Sequence, residues 1–419
     1  MLYEEIYKLL WERLSQKDGR DSTDFTGLSR DISQAELAIN TTDAISQEQW
    51  VASLAVAASM AVTGFPWSTL QLVEAAQRWI NLILTHIDHK GVTKQNISGD
   101  IFRAICTNSV QPYFRVVNRD SASTYVLAGS KNTKSSHFSE QKWKSHPQCI
   151  ACFSWALDKL LPDDTVGVIS YILPVILALL DDYDTQTKTR GVDLAIVLMD
   201  KCSDEFLRKS GIAGMIEKSI EGSLIFRSDN EGLELLDVSF KASIRLTRIQ
   251  YTQKSDPRYT EHWWKLAEKI VSNSLYVSDN VAALTVLSAN VSAICEALGP
   301  ATARYMRPFV GLLTKGLHSP VHMNPKLCRL HQVSLDQIKA IVKACPQRIH
   351  VYAVEIIAAL AYSWTTAKDA YFANVDQLKG STIDMIKTLY QVCPDETKCA
   401  VSQLVESGIA ADWQNIVEF

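Results

Sequence analysis

Tyr171-Ile-Leu-Pro-Val-Ile-Leu-Ala-Leu-Leu-Asp-Asp-Tyr-Asp-Thr-Gln-Thr-Lys-Thr-Arg-Gly-Val-Asp-Leu-Ala-Ile-Val-Leu198 is the stretch that decides the fold. Its first half is apolar at helical spacing and carries Pro174. Two acids end that run, a basic residue opens the next, and the helical spacing resumes from Val192. The segment therefore reads as helix, tight acidic turn, helix. The same spacing of three and four recurs almost everywhere, and alternating period-2 runs are hard to find. It predicts helices over 2–16, 33–40, 46–63, 67–87, 99–117, 148–161, 164–180, 186–201, 204–224, 231–250 and 259–277. Further helices are expected over 279–298, 301–317, 332–344, 347–363, 367–378, 381–392, 395–406 and 408–416. Leu161-Pro162, Gly299-Pro300, Cys345-Pro346 and Cys393-Pro394 mark breaks where a first helical turn tolerates proline. With only 17 Gly and 12 Pro in 419 residues, a chain of many hairpins is excluded. The expected class is all-α.

The breaks are periodic. Ile338-Lys-Ala-Ile-Val-Lys-Ala-Cys-Pro346 aligns with Ile386-Lys-Thr-Leu-Tyr-Gln-Val-Cys-Pro394 at an offset of 48 residues. Cys202-Ser-Asp-Glu205 matches Cys393-Pro-Asp-Glu396, and junctions near Tyr251 and Gly299 complete a ladder. Helix pairs at a period of roughly 40–47 residues are the signature of HEAT and armadillo arrays, and these run slightly long. Each pair exposes an apolar face that it cannot cover alone, so successive pairs stack. The fold expected is an α-solenoid of HEAT/armadillo-like helix pairs. The 171–198 segment resembles the HEAT consensus, in which an Asp at the turn and an Arg in the second helix form a ladder between repeats. That resemblance assigns Asp181 or Asp182 and Arg190 to the ladder, a sensible use of a planar guanidinium at a helix end.

One interval departs from the pattern. Asn118 to Pro147 holds seven serines and four lysines, with few apolar residues beyond Tyr125-Val-Leu and Trp143. A loop of this length is usually functional or disordered. The expected organisation is an N-terminal helical block over 1–117, an exposed Ser/Lys-rich insert over 118–147 and a solenoid over 148–419.

Composition narrows the function. The hydrophobic content of 47% is that of a folded chain, and a net charge of −4 lacks the basic excess a nucleic-acid binder uses to displace counterions. The start, Met-Leu-Tyr-Glu-Glu-Ile-Tyr-Lys, is charged and periodic, unlike a signal peptide. Val166–Leu180 is shorter than the ~20 residues of a spanning helix and contains Pro174, so it reads as core. An odd set of nine scattered cysteines suits reduced thiols in cytoplasm or nucleus.

Four patterns invite chemistry, and each has a plainer reading. Asp181-Asp182-Tyr183-Asp184 approaches the Asp-Asp-x-x-Asp magnesium run of all-α terpenoid synthases, but Thr185 occupies the fifth place and no second metal segment follows. Cys149-Ile-Ala-Cys152 lacks the other two ligands of a zinc site and the βαβ context of a redox motif, and reads as core. The pairs His86/His89 and His318/His322 lack a third ligand and read as surface or capping residues. Trp263-Trp264 and Trp413 fit either core or interface anchors, with core favoured by their helical spacing. Nucleophile elbows and Gly-rich phosphate loops do not occur. No catalytic residue, metal or cofactor is expected.

Three features together resemble one family: Trp143-Lys144-Ser145 closing the insert, Trp155 on the next helix, and Leu173-Pro-Val-Ile-Leu-Ala-Leu-Leu-Asp-Asp-Tyr-Asp184 followed by Lys188-x-Arg190-Gly191. The Leu207-x-x-x-Gly211-Ile-x-x-x-Ile216-x-x-x-Ile220 pattern also fits. These are similar to the Tel-two-interacting protein two family over about 143–249. Phe226-Arg-Ser-Asp-Asn stands where a proline-containing stretch is expected. The resemblance implies a non-enzymatic subunit of the TTT co-chaperone complex, bound to the large subunit Tti-one and with it to Tel-two. It further implies work with Hsp-ninety and the R-two-TP adaptor on phosphatidylinositol-three-kinase-related kinases, in cytoplasm and nucleus, without nucleic-acid or membrane partners. Asp182, Tyr183, Asp184 and Lys188 at the turn, with Trp143 and Lys144, are its candidate partner-binding residues. The alternative is another HEAT/armadillo interaction protein, such as a nuclear-transport adaptor. That class would show tandem Trp-x-x-x-Asn ladders, and Trp413-Gln-Asn415 has the wrong spacing.

Overall fold

A computed structural model describes residues 3–15, 27–39, 45–87, 96–116, 126–127, 141–277, 280–320, 324–368, 374–409 and 413. Two units emerge from the contacts, Met1–Leu207 and Arg208–Phe419. The first contains α1 (Tyr3–Arg13), α2 (Leu28–Ile39), α3 (Gln47–Met60), α4 (Leu70–His86), α5 (Gly99–Ile105) and α6 (Gln111–Phe114). It continues with α7 (Lys142–Ser145), α8 (Gln148–Lys159), α9 (Pro162–Thr165), α10 (Ile169–Leu180) and α11 (Thr185–Lys201). The division falls within α12 (Asp204–Lys209). The second unit holds α13 (Ile212–Ile220), α14 (Asn230–Gln250), α15 (Pro257–Ser274), α16 (Val281–Ala289), α17 (Val291–Leu298) and α18 (Met306–Leu317). It ends with α19 (Pro325–Ala344), α20 (Ala353–Lys368), α21 (Val375–Val392) and α22 (Pro394–Glu406).

In the first unit α1 packs on α3, α3 on α8 and α8 on α11, while α2 and α4 form a second row against α1 and α3. Helices from both sides of the 118–147 interval thus meet in one core. Most of that interval lies outside the described residues; what is described is α7 and an antiparallel pairing of Arg115–Val116 with Val126–Leu127. The second unit is cleaner. One layer runs α14, α16, α19, α21, and the other α15, α18, α20, α22, each helix packed on the next. This is the α-solenoid of stacked pairs that the periodicity implies.

The junction ladder has a structural cause. α11, α14, α17, α19 and α21 end at Cys202, Tyr251, Gly299, Cys345 and Cys393, in steps of 49, 48, 46 and 48. The last carbonyls of an α-helix have no partner within it and carry the negative end of its dipole. Donors from a neighbouring helix supply one. Lys201 Nζ donates to the Asp158 and Leu160 carbonyls at the end of α8, both at 2.8 Å. Arg208 Nη1 reaches the Ile249 carbonyl at 3.1 Å, and the Tyr259 hydroxyl reaches that of Ala297 at 3.1 Å. The Cys345 thiol lies 3.7 Å from the Gly299 and Pro300 carbonyls, one repeat back. Gly299 turns the chain at φ +52, a backbone that side chains avoid.

α10 and α11 show why Gly191 stands where it does. A Cβ there would meet the Leu180 nitrogen at 2.9 Å and the Leu179 carbonyl carbon at 3.0 Å, so the two backbones touch only because the side chain is missing. The apolar face of α10 is buried from Ile172 through Leu180, as expected of core.

Some boundaries differ from expectation. α19 begins seven residues before position 332, because Asn324 caps it through the Lys326 amide and Pro325 takes the first turn. The break expected near 379–380 is absent: Leu378, Thr382, Met385 and Ile386 keep one buried face through Gly380, which outweighs the ~1 kcal/mol cost of a mid-helix glycine. The 204–224 helix is divided at Gly211, φ +76. The helix expected over 408–416 lies mostly outside the described residues; α22 stops at Glu406, Gly408 turns the chain, and buried Trp413 meets Trp364 edge-on at 5.8 Å.

His331 on α19 is fully buried, with Nδ1 2.7 Å from the Ser363 hydroxyl of α20. Burial lowers its imidazole to about 4, with the Ser319 and Gly316 carbonyls pulling the other way. An unfolded chain holds the same group near ~6.5. The neutral ring is the folded form, so its contribution is complete above pH ~6.5 and is lost as pH falls toward 4. That difference corresponds to roughly 3 kcal/mol. The urea midpoint should fall over this window, and His331→Gln should flatten the fall; an equally steep curve in the variant would assign the loss elsewhere.

Candidate functional site

The α10–α11 turn is built by its acids, each in a different role. Asp181 caps α10, its amide donating to the Leu177 carbonyl at 3.0 Å, and its side chain is exposed. Asp184 is the N-cap of α11: Oδ2 accepts from the Thr187 amide at 2.8 Å, and its carbonyl accepts from the Lys188 amide at 3.0 Å. Between them Asp182 turns inward, with its side chain 0% exposed. Its Oδ1 accepts from the Asp184 amide at 2.8 Å, closing a local turn.

The other oxygen of Asp182 meets Lys144, whose Nζ stands 2.8 Å from Oδ2. The contact is ionic, without the alignment of a directed hydrogen bond. The same ammonium lies 4.1 Å from the Tyr183 ring centroid and 5.3 Å from that of Trp143. The two aromatic faces attract the cation, and the pair keeps either charge from being buried alone. Trp143 is buried and stacks on Phe114 at 5.7 Å, their planes 5° apart. Nearby, His146 packs on Tyr113 at 4.5 Å, and Gln148 donates to the Trp11 carbonyl and the Ser15 hydroxyl at 3.2 and 2.7 Å. The segment that leaves the 118–147 interval is therefore clasped to α1, α6 and the acidic turn.

Of the residues singled out in the sequence, the structure gathers Trp143, Lys144, Asp182 and Tyr183 into this clasp. Tyr183 remains 71% exposed, and Lys188 is half-buried on the first turn of α11. Arg190 reaches the residues beyond α3. It donates to the Gly64 carbonyl there, and its guanidinium lies 3.8 Å over the Phe65 ring. What sequence reasoning missed is the pairing of Lys144 with Asp182, and no local signal announces a contact between residues so far apart.

The remaining candidates resolve into packing. Cys149 and Cys152 are buried, and burial pushes their thiols up, away from the reactive thiolate. His86 stacks on Trp50 at 4.9 Å; His318 holds the Thr314 carbonyl at the end of α18 at 2.7 Å. His89 and His322 lie outside the described residues. Trp263 and Trp413 are core, and Trp264 lies under Arg304 at 4.7 Å. Among the described residues no three His, Cys, Asp or Glu side chains come together as a metal site requires.

Two polar constellations lie in the second unit. His262 stacks on Tyr251 at 3.8 Å, but its Nδ1 is 3.9 Å from Glu217 Oε1, beyond hydrogen-bond reach. Burial lowers the imidazole there, partly offset by Glu217. Beside it is a 330 Å³ cleft lined by Arg248, Tyr251, Thr252, Tyr259, Trp263, Glu296 and Ala297. Its walls present no nucleophile held by a base, the arrangement covalent catalysis needs.

The sequence model of the Tti2 family matches residues 53–324. No curated protein matches the chain. Among solved structures, the karyopherin Kap121p bound to RanGTP is similar with a TM-score of 0.57 at 12% identity, covering 98% of this chain and 38% of that one. Kap121p bound to the extreme C-terminus of the protein phosphatase Cdc14p gives 0.52 at 12% identity, covering 97% and 35%. Kap121p bound to Pho4p gives 0.53 at 12%, again covering 97% and 35%. The chain spans little more than a third of those karyopherins' length, and the likeness is one of fold.

The clasp should contribute to stability. Breaking a buried pair typically costs 3–5 kcal/mol; Lys144 keeps 28% of its side chain in water, which reduces the figure. Lys144→Ala should lower unfolding free energy by about 2 kcal/mol in urea denaturation, and Tyr183→Ala by less than about 1 kcal/mol. Equal losses would mean that the aromatic contact outweighs the ion pair.

Proposed function

The chain belongs to the Tti2 family, and on that premise we propose that it is a non-catalytic scaffold subunit of the TTT co-chaperone complex. In this reading it holds a large HEAT-repeat subunit of the Tti-one type, and through it a Tel-two-type subunit. The assembly supports maturation of phosphatidylinositol-three-kinase-related kinases together with Hsp-ninety and R-two-TP chaperones, in cytoplasm and nucleus. The observation that carries the proposal is the family match over residues 53–324.

The physical character of the chain supports it. Stacked helix pairs present long surfaces suited to extended helical partners. Cys149, Cys152, His86 and His318 are engaged in packing and capping, as described above. At the acidic turn the exposed Tyr183, with half-buried Asp184 and Lys188 beside it, offers an aromatic anchor on a rigid base, the type of residue that dominates protein interfaces. The karyopherin likeness concerns the fold at 12% identity and favours no transport role.

Affinity purification of the full-length chain followed by mass spectrometry should recover a large HEAT-repeat subunit together with kinase-related clients. Recovery of neither defeats the proposal. Tyr183→Ala combined with Lys188→Ala should leave the melting temperature within a few degrees and reduce recovery of the large subunit several-fold. Undiminished recovery would place the interface away from this turn.

A further inference from the structure

The second unit carries an exposed apolar stripe that its own packing leaves uncovered. Val351, at the end of the 3-10 turn Pro346–Tyr352, is 68% exposed; Val354 is 59% and Tyr362 39% exposed on α20. Ala358, also exposed, lies between them. Spacings of three, four and four place all four on one face, over roughly three helical turns. α20 buries its opposite face with Ile356, Ile357, Leu360 and Trp364, so the outward stripe is additional to what the core needs. The one acid on it, Glu355, accepts from the Thr314 hydroxyl of α18 at 3.1 Å.

The neighbour α18 gives the stripe a charged border. Thr314 meets Glu355, and His318 packs on Tyr362 at 5.6 Å, so the two helices lie side by side in parallel. The outward face of α18 presents Arg307, Gly311 and Lys315, the last with its Nζ 3.4 Å from the Val277 carbonyl beyond α15, and no acid occurs between Met306 and Leu317. A side chain added at Gly311 would touch nothing, which leaves an open trough between the two cations. On the far side α22 exposes a mixed set, Asp395, Lys398 and Glu406. The surface is thus apolar along one helix and basic along a single edge.

We propose that the outward face of α18 and α20 docks an amphipathic helix of another protein. Its apolar residues repeat at i, i+3 or i+4 and i+7, and Asp or Glu line the edge that faces α18. Helical spacing on the receiving stripe matches ridge-into-groove packing of a second helix. The one-sided cations select its charge and its direction. The proposal does not depend on which protein supplies the helix, and so stands apart from the TTT assignment.

Photo-crosslinking tests it in the full-length chain expressed in cells. The crosslinking residue p-benzoylphenylalanine replaces Val354 in one variant and, as a control, exposed Asp384 on α21 in another. Crosslinks from position 354 should map to a helical segment with apolar i, i+3/i+4 spacing and flanking acids, at a yield several-fold above that from 384. Arg307→Glu should reduce that yield several-fold while circular dichroism and the melting temperature stay unchanged. Crosslinks to a second copy of this chain, to a basic or non-helical segment, or equally from both positions would overturn the proposal. So would a yield indifferent to the charge reversal, or none at all. A segment from any protein with that pattern supports the docking surface, and the TTT assignment is tested separately by the purification above.

Discussion

The ends of helices constrain this protein more than their middles. Each helix of a stacked pair leaves carbonyls unpaired at its C-terminus, and burying them unsatisfied would cost on the order of 1–3 kcal/mol each. Here an adjoining helix supplies the donor: Lys201 for α8, Arg208 for α14, Tyr259 for α17, Cys345 for the Gly299–Pro300 corner. These side chains differ in chemistry, and each lies 38–46 residues from the carbonyl it serves. The spacing of 46–49 residues is the visible trace of that geometry.

The acidic turn illustrates how local and long-range forces divide the work. Asp181 and Asp184 act within a few residues, ending one helix and starting the next. Asp182 does something neighbours in sequence cannot supply. Its burial requires a cation, and Lys144 provides it while also resting on Tyr183 and Trp143. A carboxylate with no exposed surface would be untenable unpaired. The pair therefore fixes where the chain re-enters the core after the 118–147 interval. The same arrangement holds the Tyr183 ring outward on a rigid support.

Family membership and fold point the same way. Stacked helix pairs offer extended surfaces to partners. In the second unit the polar cleft near Tyr251 is lined by a loosely paired Arg248 and Glu296, 3.9 Å apart, without a nucleophile beside a base. The exposed apolar positions on α20 and the cations of α18 have the opposite character, being suited to a partner's side chains. At protein–protein interfaces a few such anchors carry most of the energy.

The sequence by itself determined the helical class, the pairing of helices and the period of the array. Those properties are local: apolar spacing, proline at first turns and glycine past helix ends act within a few residues. It also identified the turn at 181–184 and the residues that close the insert, and the family resemblance those residues carry. Only the tertiary structure decided that Lys144 belongs to Asp182, that Arg190 turns to Gly64 and Phe65, and that Gly380 does not interrupt α21. Each depends on what lies opposite in space. A buried carboxylate takes whichever cation the packing delivers, and a glycine stays helical when its neighbours have a face to bury. Periodicity carries no information about either.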